Sequence, residues 1–391
     1  MTVTYYEEYS RKRLCEVVLL GSHDAGIDKG NANTRTQSEG IGAQARKGAR
    51  FFDLRIAAFS NRSNSVSMRA YHDDTKIKSH VASEVTQNLK TLDRRGDLVV
   101  KKNQSMEIHN TMGGAKGGGL FTILLEAKAF VSRGDGSTEF LLLKFDKSTN
   151  WPMIAEACID ILGAYIYVPP EGKANLNECT LEDLRGKVIV LFTKDGCIAS
   201  GLTALDRQAS GILEWKNLYS AKKDSPGGYS REFVGLQYYG KGGTSKEGKG
   251  HSGKIWMNSD AQAKLMMGEG SFTTEKTDGQ ASRSGSHPNV NSHGSVDPNV
   301  VGVMYWTTTG GPTDDIQKRN NKMWTQPHQQ MLVACTGLAR EMAPSNANQG
   351  GEVKRFMPNI VMVDFVTRHQ GLLVKALNTK SATEINAIIN G

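Results

Sequence analysis

The run VVLLGSHDAG (17–26) passes straight from apolar residues into a histidine and an aspartate, His23 and Asp24. Other apolar runs also close on ionisable groups. FFDLR carries Asp53 and Arg55, FLLLKFD carries Lys144 and Asp146, Lys194 and Asp195 follow VIVLFT, and IVMVDFV carries Asp364. Taken singly, each has a plain structural explanation: a His-Asp step is commonly a turn, and a charge on a strand is commonly one half of an ion pair. A whole series of charged strand ends is harder to explain that way, because each group costs free energy to hold near a core. The set also mixes two chemistries. Histidine and carboxylate move protons near neutral pH, while arginine and lysine hold a phosphate and stabilise charge growing on its oxygens. Together they suit cleavage of a phosphodiester by an internal nucleophile. One histidine, oriented by an aspartate, takes the proton of the attacking hydroxyl. A second, protonated histidine supplies the leaving oxygen, and a cation stabilises the five-coordinate state.

Such groups must be positioned by a scaffold. The runs EVVLL (16–20), FFDLRIAAF (51–59), FLLLKFD (140–146), KVIVLFT (187–193), VVGVMYWTT (300–308) and NIVMVDFV (359–366) are mostly continuous in apolar character, as strands covered on both faces are. REFVGLQYYG (231–240) is a weaker strand signal. Between the runs lie helical patterns at 38–49, 119–131, 151–165, 326–343 and 381–390. Alternation over this length predicts an α/β chain, an irregular TIM-type (β/α) barrel with loop insertions ahead of an open doubly wound sheet. One domain is expected over 1–391. A charged hairpin or excursion interrupts it at 60–106, and a Gly/Ser/Lys-rich loop insertion at 240–298, whose composition cannot bury much apolar surface. In a parallel barrel, functional residues gather at the C-terminal strand ends, where the charged groups fall.

The chain has 391 residues, 38% of them apolar, and a formal net charge of +8. That balance favours anionic partners, and the basic residues are dispersed without a nucleic-acid motif, so no nucleic acid is expected. Five cysteines, widely spaced and with no CxxC pair, argue against a disulfide framework or a zinc site. The first fifteen residues are polar, and no apolar run approaches the roughly 20 residues of a membrane span. The expectation is a protein without a signal peptide, cytoplasmic or exported by a route that needs none. Of the five tryptophans, Trp256, in the 240–298 insertion, best fits exposure at a lipid interface.

GSHDAG (21–26) followed by TQSEGIGAQARKGARFFDLR (36–55) resembles the catalytic domain of phosphatidylinositol-specific phospholipase C, bacterial type. Gln44, Gly48, Arg50, Asp53 and Arg55 stand in the family's order. The stretch from IHNTMGGAKGGGLFTILLEAKAFV to EFLLLKFDKS (108–148) resembles its strand ending in His, glycine-containing loop, helix and Lys-bearing strand, and IVMVDFV resembles its last strand, which ends in Asp. The resemblance implies a phosphodiesterase that cleaves the glycerol-phosphate bond of phosphatidylinositol through a cyclic inositol phosphate, releasing diacylglycerol at a peripheral membrane surface. It implies His23 as general base on the inositol 2-hydroxyl, Asp364 orienting it, Asp24 supporting the general acid, and Arg55 on the phosphate. Lys144, Lys194 and Tyr305 would contact substrate. The general acid is expected to be His109, which precedes a glycine-rich loop and helix, with His72 in MRAYHDD as the alternative. No cofactor is expected. Arg55 is a built-in cation where a metal-dependent relative needs acidic ligands, so Ca²⁺ is disfavoured. A monomer is expected. Two rival readings are a glycerophosphodiester phosphodiesterase-like enzyme and a catalytically altered headgroup-binding barrel.

Overall fold

Eight parallel strands close a barrel in the computed structural model, which describes residues 1–30, 32, 34–60, 66–72, 78–82, 106–110, 115–218, 228–241, 262, 299–307, 315–325, 328–329, 332–333, 358–380, 384–385 and 387. The barrel strands are β1 (Leu19–Ser22), β2 (Ala49–Leu54), β8 (Leu141–Phe145), β9 (Val188–Thr193), β10 (Ile212–Asn217), β11 (Gly235–Lys241), β12 (Val301–Tyr305) and β13 (Ile360–Val363). They follow one another around the barrel in chain order, and β13 closes on β1 with Ser22 opposite Val363. The five strands between β2 and β8 form a separate sheet. They are β3 (Ile56–Ser60), β4 (Val66–His72), β5 (Lys78–Ala82), β6 (Met106–Asn110) and β7 (Ala115–Gly119), in the order β5-β6-β3-β4-β7. The expected (β/α) barrel is therefore the observed fold.

Eight helices are named among the described residues: α1 (Tyr6–Tyr9), α2 (Ile41–Arg46), α3 (Leu120–Ser132), α4 (Trp151–Leu162), α5 (Lys194–Ala199), α6 (Ala204–Ser210), α7 (Ile316–Lys322) and α8 (Arg368–Ala376). Helix α3 buries Leu120, Ile123, Leu124, Ala127 and Val131, the one-sided spacing of a helix lying on a barrel wall. Helix α8, which the apolar pattern did not signal, starts with a reciprocal cap in which Thr367 accepts from the Gln370 backbone and the Gln370 side chain accepts from the Thr367 N–H.

Two apolar layers follow from the period of two along each strand. Leu19, Phe51, Leu142, Ile189, Leu191, Leu213, Leu236, Val303 and Met362 belong to one buried cluster, which fills the barrel. Their neighbours Leu20, Phe52, Leu143, Val190 and Val361 belong to a second cluster, shared with the helices. Strands covered on both faces read as continuous apolar runs for this reason. At the base of the barrel, Arg50 donates to Glu139 at 2.8 Å and to the Val3 carbonyl at 2.7 Å, while Glu139 accepts from the Tyr5 and Tyr6 N–H groups. This buried pair ties the N-terminal segment under β2 and β8.

Some boundaries depart from expectation. FFDLRIAAF is not one strand. The chain leaves the barrel at Arg55, and Ile56 begins β3 of the side sheet. Strand β10 was not anticipated, because ILEWKN alternates into polar residues where the other runs stay apolar. The excursion expected at 60–106 contributes β4, antiparallel to β3, and β5, antiparallel to β6. Most of the 240–298 insertion, including Trp256, and most of the helical pattern at 326–343 lie outside the described residues. Among those residues, no helix is long and apolar enough to cross a membrane.

The side sheet meets the barrel at a backbone contact only glycine permits. Gly118 N–H donates to the Gly26 carbonyl at 2.9 Å, and a Cβ on Gly117 would stand 1.8 Å from that same oxygen. Gly117→Ala should therefore push β7 off the loop after β1. The expected loss is about 1–3 kcal/mol of unfolding free energy, read from urea denaturation of variant and wild type.

Candidate active site

The period that fills the barrel with apolar side chains also builds its mouth. Counting by twos from Leu19, Phe51, Leu142, Val303 and Met362 reaches His23, Asp53 and Arg55, Lys144, Tyr305 and Asp364. These are the top layer of the inward-facing stack, at the C-terminal ends of β1, β2, β8, β12 and β13. His23 Nδ1 lies 2.9 Å from Asp364 Oδ1, across the β1–β13 seam. Its ring meets the Tyr305 ring edge-on, with centroids 5.7 Å apart.

Asp24 breaks the parity, since the residue after His23 would ordinarily face the other way. Its φ of +42° turns the backbone into the left-handed region and brings its carboxylate into the same layer. There it is wholly buried and surrounded by basic side chains. Arg55 Nε stands 3.2 Å from Oδ1, His72 Nδ1 2.6 Å from Oδ2, and His23 Nε2 3.7 Å from Oδ2. Two histidines thus flank one carboxylate, and each has an aspartate on its Nδ1.

A second ionic group adjoins the first. Lys144 Nζ lies 3.1 Å from both Asp53 Oδ1 and Asp146 Oδ2. It sits 6.0 Å from the centre of the Trp215 ring, which stacks on Tyr238 at 3.9 Å. A buried lysine between two carboxylates, walled by aromatic rings, is a surface that can hold hydroxyl groups.

The electrostatics follow from this packing. Burial disfavours the charged form of His23, yet Asp24 and Asp364 outweigh it and raise the ring above its ordinary value. Burial likewise opposes ionisation of Asp24, but Arg55 and the two histidines hold it well below the usual carboxylate range. Asp364 moves the other way. Burial pushes it up, its Oδ2 has no hydrogen-bond partner among the described residues, and His23 only partly offsets this. Both members of the His23–Asp364 pair therefore hold a proton more tightly than they would alone. Burial works against the charge on Lys144, and Asp53 leads the groups that raise it well above its usual value.

Of the groups expected at the site, His23, Asp24, Arg55 and Asp364 come together in one cluster with Tyr305, and Lys144 joins beside them. Of the two histidines weighed as general acid, the structure brings His72 and not His109 to the cluster. His72, the alternative, is the histidine on Asp24. His109 lies on β6 opposite Phe59, which is four residues past Arg55 along β3, or roughly 13 Å at about 3.3 Å per residue. Tyr71, by contrast, donates its N–H to the Arg55 carbonyl, so the end of β4 lies against the barrel mouth. The loop-and-helix context that favoured His109 reflects the chain's path through the side sheet. Lys194 is also displaced from its expected place: it is exposed at the start of α5, outside this cluster. Arg50, matched in GARFFDLR (48–55), lies at the opposite end of β2 in the Glu139 pair. Tyr238 and Trp215 were not anticipated as site residues. Their period-two position on β10 and β11 is a signal that could have found them, once β10 was recognised.

No family model matches the chain, and no curated protein matches it. Solved structures with a similar fold include phosphatidylinositol-specific phospholipase C from Listeria monocytogenes (TM-score 0.46, 13% identity, covering 95% of this chain and 96% of that one). Another is phosphatidylinositol-specific phospholipase C of S. aureus (TM-score 0.46, 14% identity, covering 92% and 89%). A calcium-dependent phosphoinositol-specific phospholipase C from Pseudomonas sp. is less similar (TM-score 0.36, 12% identity, covering 67% and 83%). Likenesses at such low identity do not reveal an activity.

The raised His23 ring has a stability consequence with a definite sign. Its contribution is fully present below the unfolded-state value near 6.5 and is lost as pH rises through the folded value. The gap in unfolding free energy between wild type and His23→Gln should therefore be widest in mildly acidic solution and narrow toward alkaline pH. Urea titrations at a series of pH values would read it, and a gap that widens with rising pH would contradict the assignment.

Proposed function

We propose that this chain is a phosphodiesterase of the phospholipase C type, cleaving the glycerol-phosphate bond of phosphatidylinositol without a metal ion. The observation that carries the reading is the pair of histidines on one buried carboxylate, with Arg55 on that carboxylate's other oxygen. The resemblance of GSHDAG and FFDLR to the family's segments supports the substrate class, and the formal charge of +8 suits an anionic lipid surface.

In this mechanism His23 Nε2 takes the proton of the inositol 2-hydroxyl, and that oxygen attacks phosphorus. Asp364 on Nδ1 fixes the ring and stabilises its charged form. The phosphorus–oxygen bond to glycerol breaks as His72 gives a proton to the departing oxygen, yielding diacylglycerol and a cyclic inositol phosphate. Asp24 holds His72 by Nδ1 and so directs Nε2 toward the leaving oxygen. Arg55 carries positive charge at the phosphate, the position where a metal-dependent enzyme would use a cation. Lys144, Asp53 and Asp146 meet headgroup hydroxyls, with Tyr305 and Tyr238 as walls. Water can then open the cyclic ester by the same two histidines in reversed roles.

Turnover of phosphatidylinositol vesicles tests this. Activity should persist in EDTA and gain nothing from added Ca²⁺. His23→Ala and His72→Ala should each lose about 10²- to 10⁴-fold in kcat/KM, while His109→Ala should stay near wild type. Inactivity of the wild type on every inositol lipid would remove the substrate assignment, and strict Ca²⁺ dependence would remove the role given to Arg55.

A further inference from the structure

We propose that Gln37 is a positioning residue for this site, a single buried amide that holds the strand end carrying His23 against the strand end carrying Asp364. The need for it arises in the backbone. The β1–β13 ladder runs to the bond from His23 N–H to the Val363 carbonyl, at 2.9 Å. Past that point β13 turns, with Phe365 at a φ of +54°. The polar backbone groups beyond the turn are buried and can no longer meet a strand partner. Gln37, fully buried, replaces the missing rungs. Its Nε2 donates to the His23 carbonyl at 2.9 Å and to the Val363 carbonyl at 3.3 Å, and its Oε1 accepts from the Val366 N–H at 3.1 Å. Thr36 completes the seam. Its carbonyl accepts from the Phe365 N–H at 2.7 Å, and its hydroxyl donates to the Asp24 carbonyl at 2.9 Å. The N–H groups of Thr36 and Gln37 both donate to the Ile27 carbonyl, so the seam is anchored in the loop that follows Asp24.

This makes Gln37 more than a filler of backbone valences. The His23–Asp364 contact spans two strand ends that are not bonded to each other past Val363, and Gln37 bridges both. Gln44, on the helix α2 that follows, is a contrast. It donates to the Ala25 and Glu39 carbonyls and accepts from the Ser22 hydroxyl, all on the β1 side of the seam.

The inference rests on the reading of His23 and Asp364 as the base pair, and its test reads that pair directly instead of turnover. The His23 ring is followed by NMR titration in wild type, Gln37→Met and Gln44→Met. The charged groups facing His23 are Asp24 beside it, Asp53 and Arg55 from β2, His72 from β4 through Asp24, and Asp364 from β13, with Tyr305 from β12 against the ring. Gln37→Met leaves all of these side chains in place and loosens only the seam to Asp364. The expected result is a His23 midpoint lowered by about one pH unit in Gln37→Met and unmoved in Gln44→Met. A folded Gln37→Met protein with the wild-type midpoint overturns the proposal. Should that variant not fold, the wild-type Gln37 side-chain amide decides. Slow solvent exchange and hydrogen-bond couplings to the His23 and Val363 carbonyl carbons are expected, and fast exchange without coupling overturns it. A shifted His23 in a protein that cleaves no inositol lipid would leave Gln37 its role and remove the function proposed above.

Discussion

The Asp24 carboxylate is the constraint from which the site is built. A wholly buried anion is tolerated only when it is paired and hydrogen-bonded, and the desolvation cost otherwise amounts to several kcal/mol. Its partners come from separate parts of the fold: Arg55 from the end of β2, His72 from the side sheet, and His23 from its own strand end. None of them can be removed without leaving charge exposed to a low dielectric. The barrel mouth and the side sheet are therefore coupled through one carboxylate. The same arrangement sets His23 and His72 beside one carboxylate oxygen and Arg55 beside the other, so two imidazoles and a guanidinium converge on a single group.

The inner layers of the barrel allow this. Below the charged layer, the inward positions are Phe51, Leu142, Leu191, Val303 and Met362, close-packed and dry. They exclude water from the underside of the site, which strengthens every ion pair above them. At the far end of β2, Arg50 and Glu139 form another buried pair with a different task, tying down the N-terminal segment. One strand thus carries an arginine tied to the N-terminal segment at one end and is followed at the other by an arginine in the charged cluster, five residues on in sequence.

Those two arginines show where sequence is legible and where it is not. The barrel could be read because strands buried on both faces spell themselves as continuous apolar runs, and the charged strand ends marked its mouth. His23, Asp24, Arg55 and Asp364 were readable because each ends such a run. His72 was harder. Its place depends on the antiparallel pairing of β4 with β3, which carries its last residues back to Arg55, and a register of that kind leaves no mark in the spacing. His109 had the more suggestive local context and lies on β6, opposite Phe59 and away from the barrel mouth. Strand β10, and with it Trp215, was missed because its alternation into Glu214 and Lys216 resembles a surface segment.

Strain marks the places where the pieces of the site are joined. Asp24, Lys147, Asn150 and Phe365 are the non-glycine residues with positive φ among the described residues; Asp24, Lys147 and Phe365 each lie two residues past the end of β1, β8 or β13, and Asn150 stands at the N-terminus of α4. Such a conformation costs an L-residue about 1–2 kcal/mol, so it persists only where surrounding bonds hold it. Each case has such bonds, and at Lys147 the Tyr71 hydroxyl donates to its carbonyl at 2.5 Å. Asp24 is fixed by its ion pairs and by the Thr36 hydroxyl on its carbonyl. Phe365 is fixed by the Thr36 carbonyl. The Asn150 side chain accepts from the Glu107 N–H and donates to the Glu107 carbonyl, both at 2.8 Å, while its own carbonyl starts α4. Asn150 thereby joins barrel, helix and β6 of the side sheet at one residue. The turns that re-aim Asp24 and end β13 are thus held by the contacts that join one strand end or sheet to another, and the geometry of the charged cluster depends on those seams as much as on the strands.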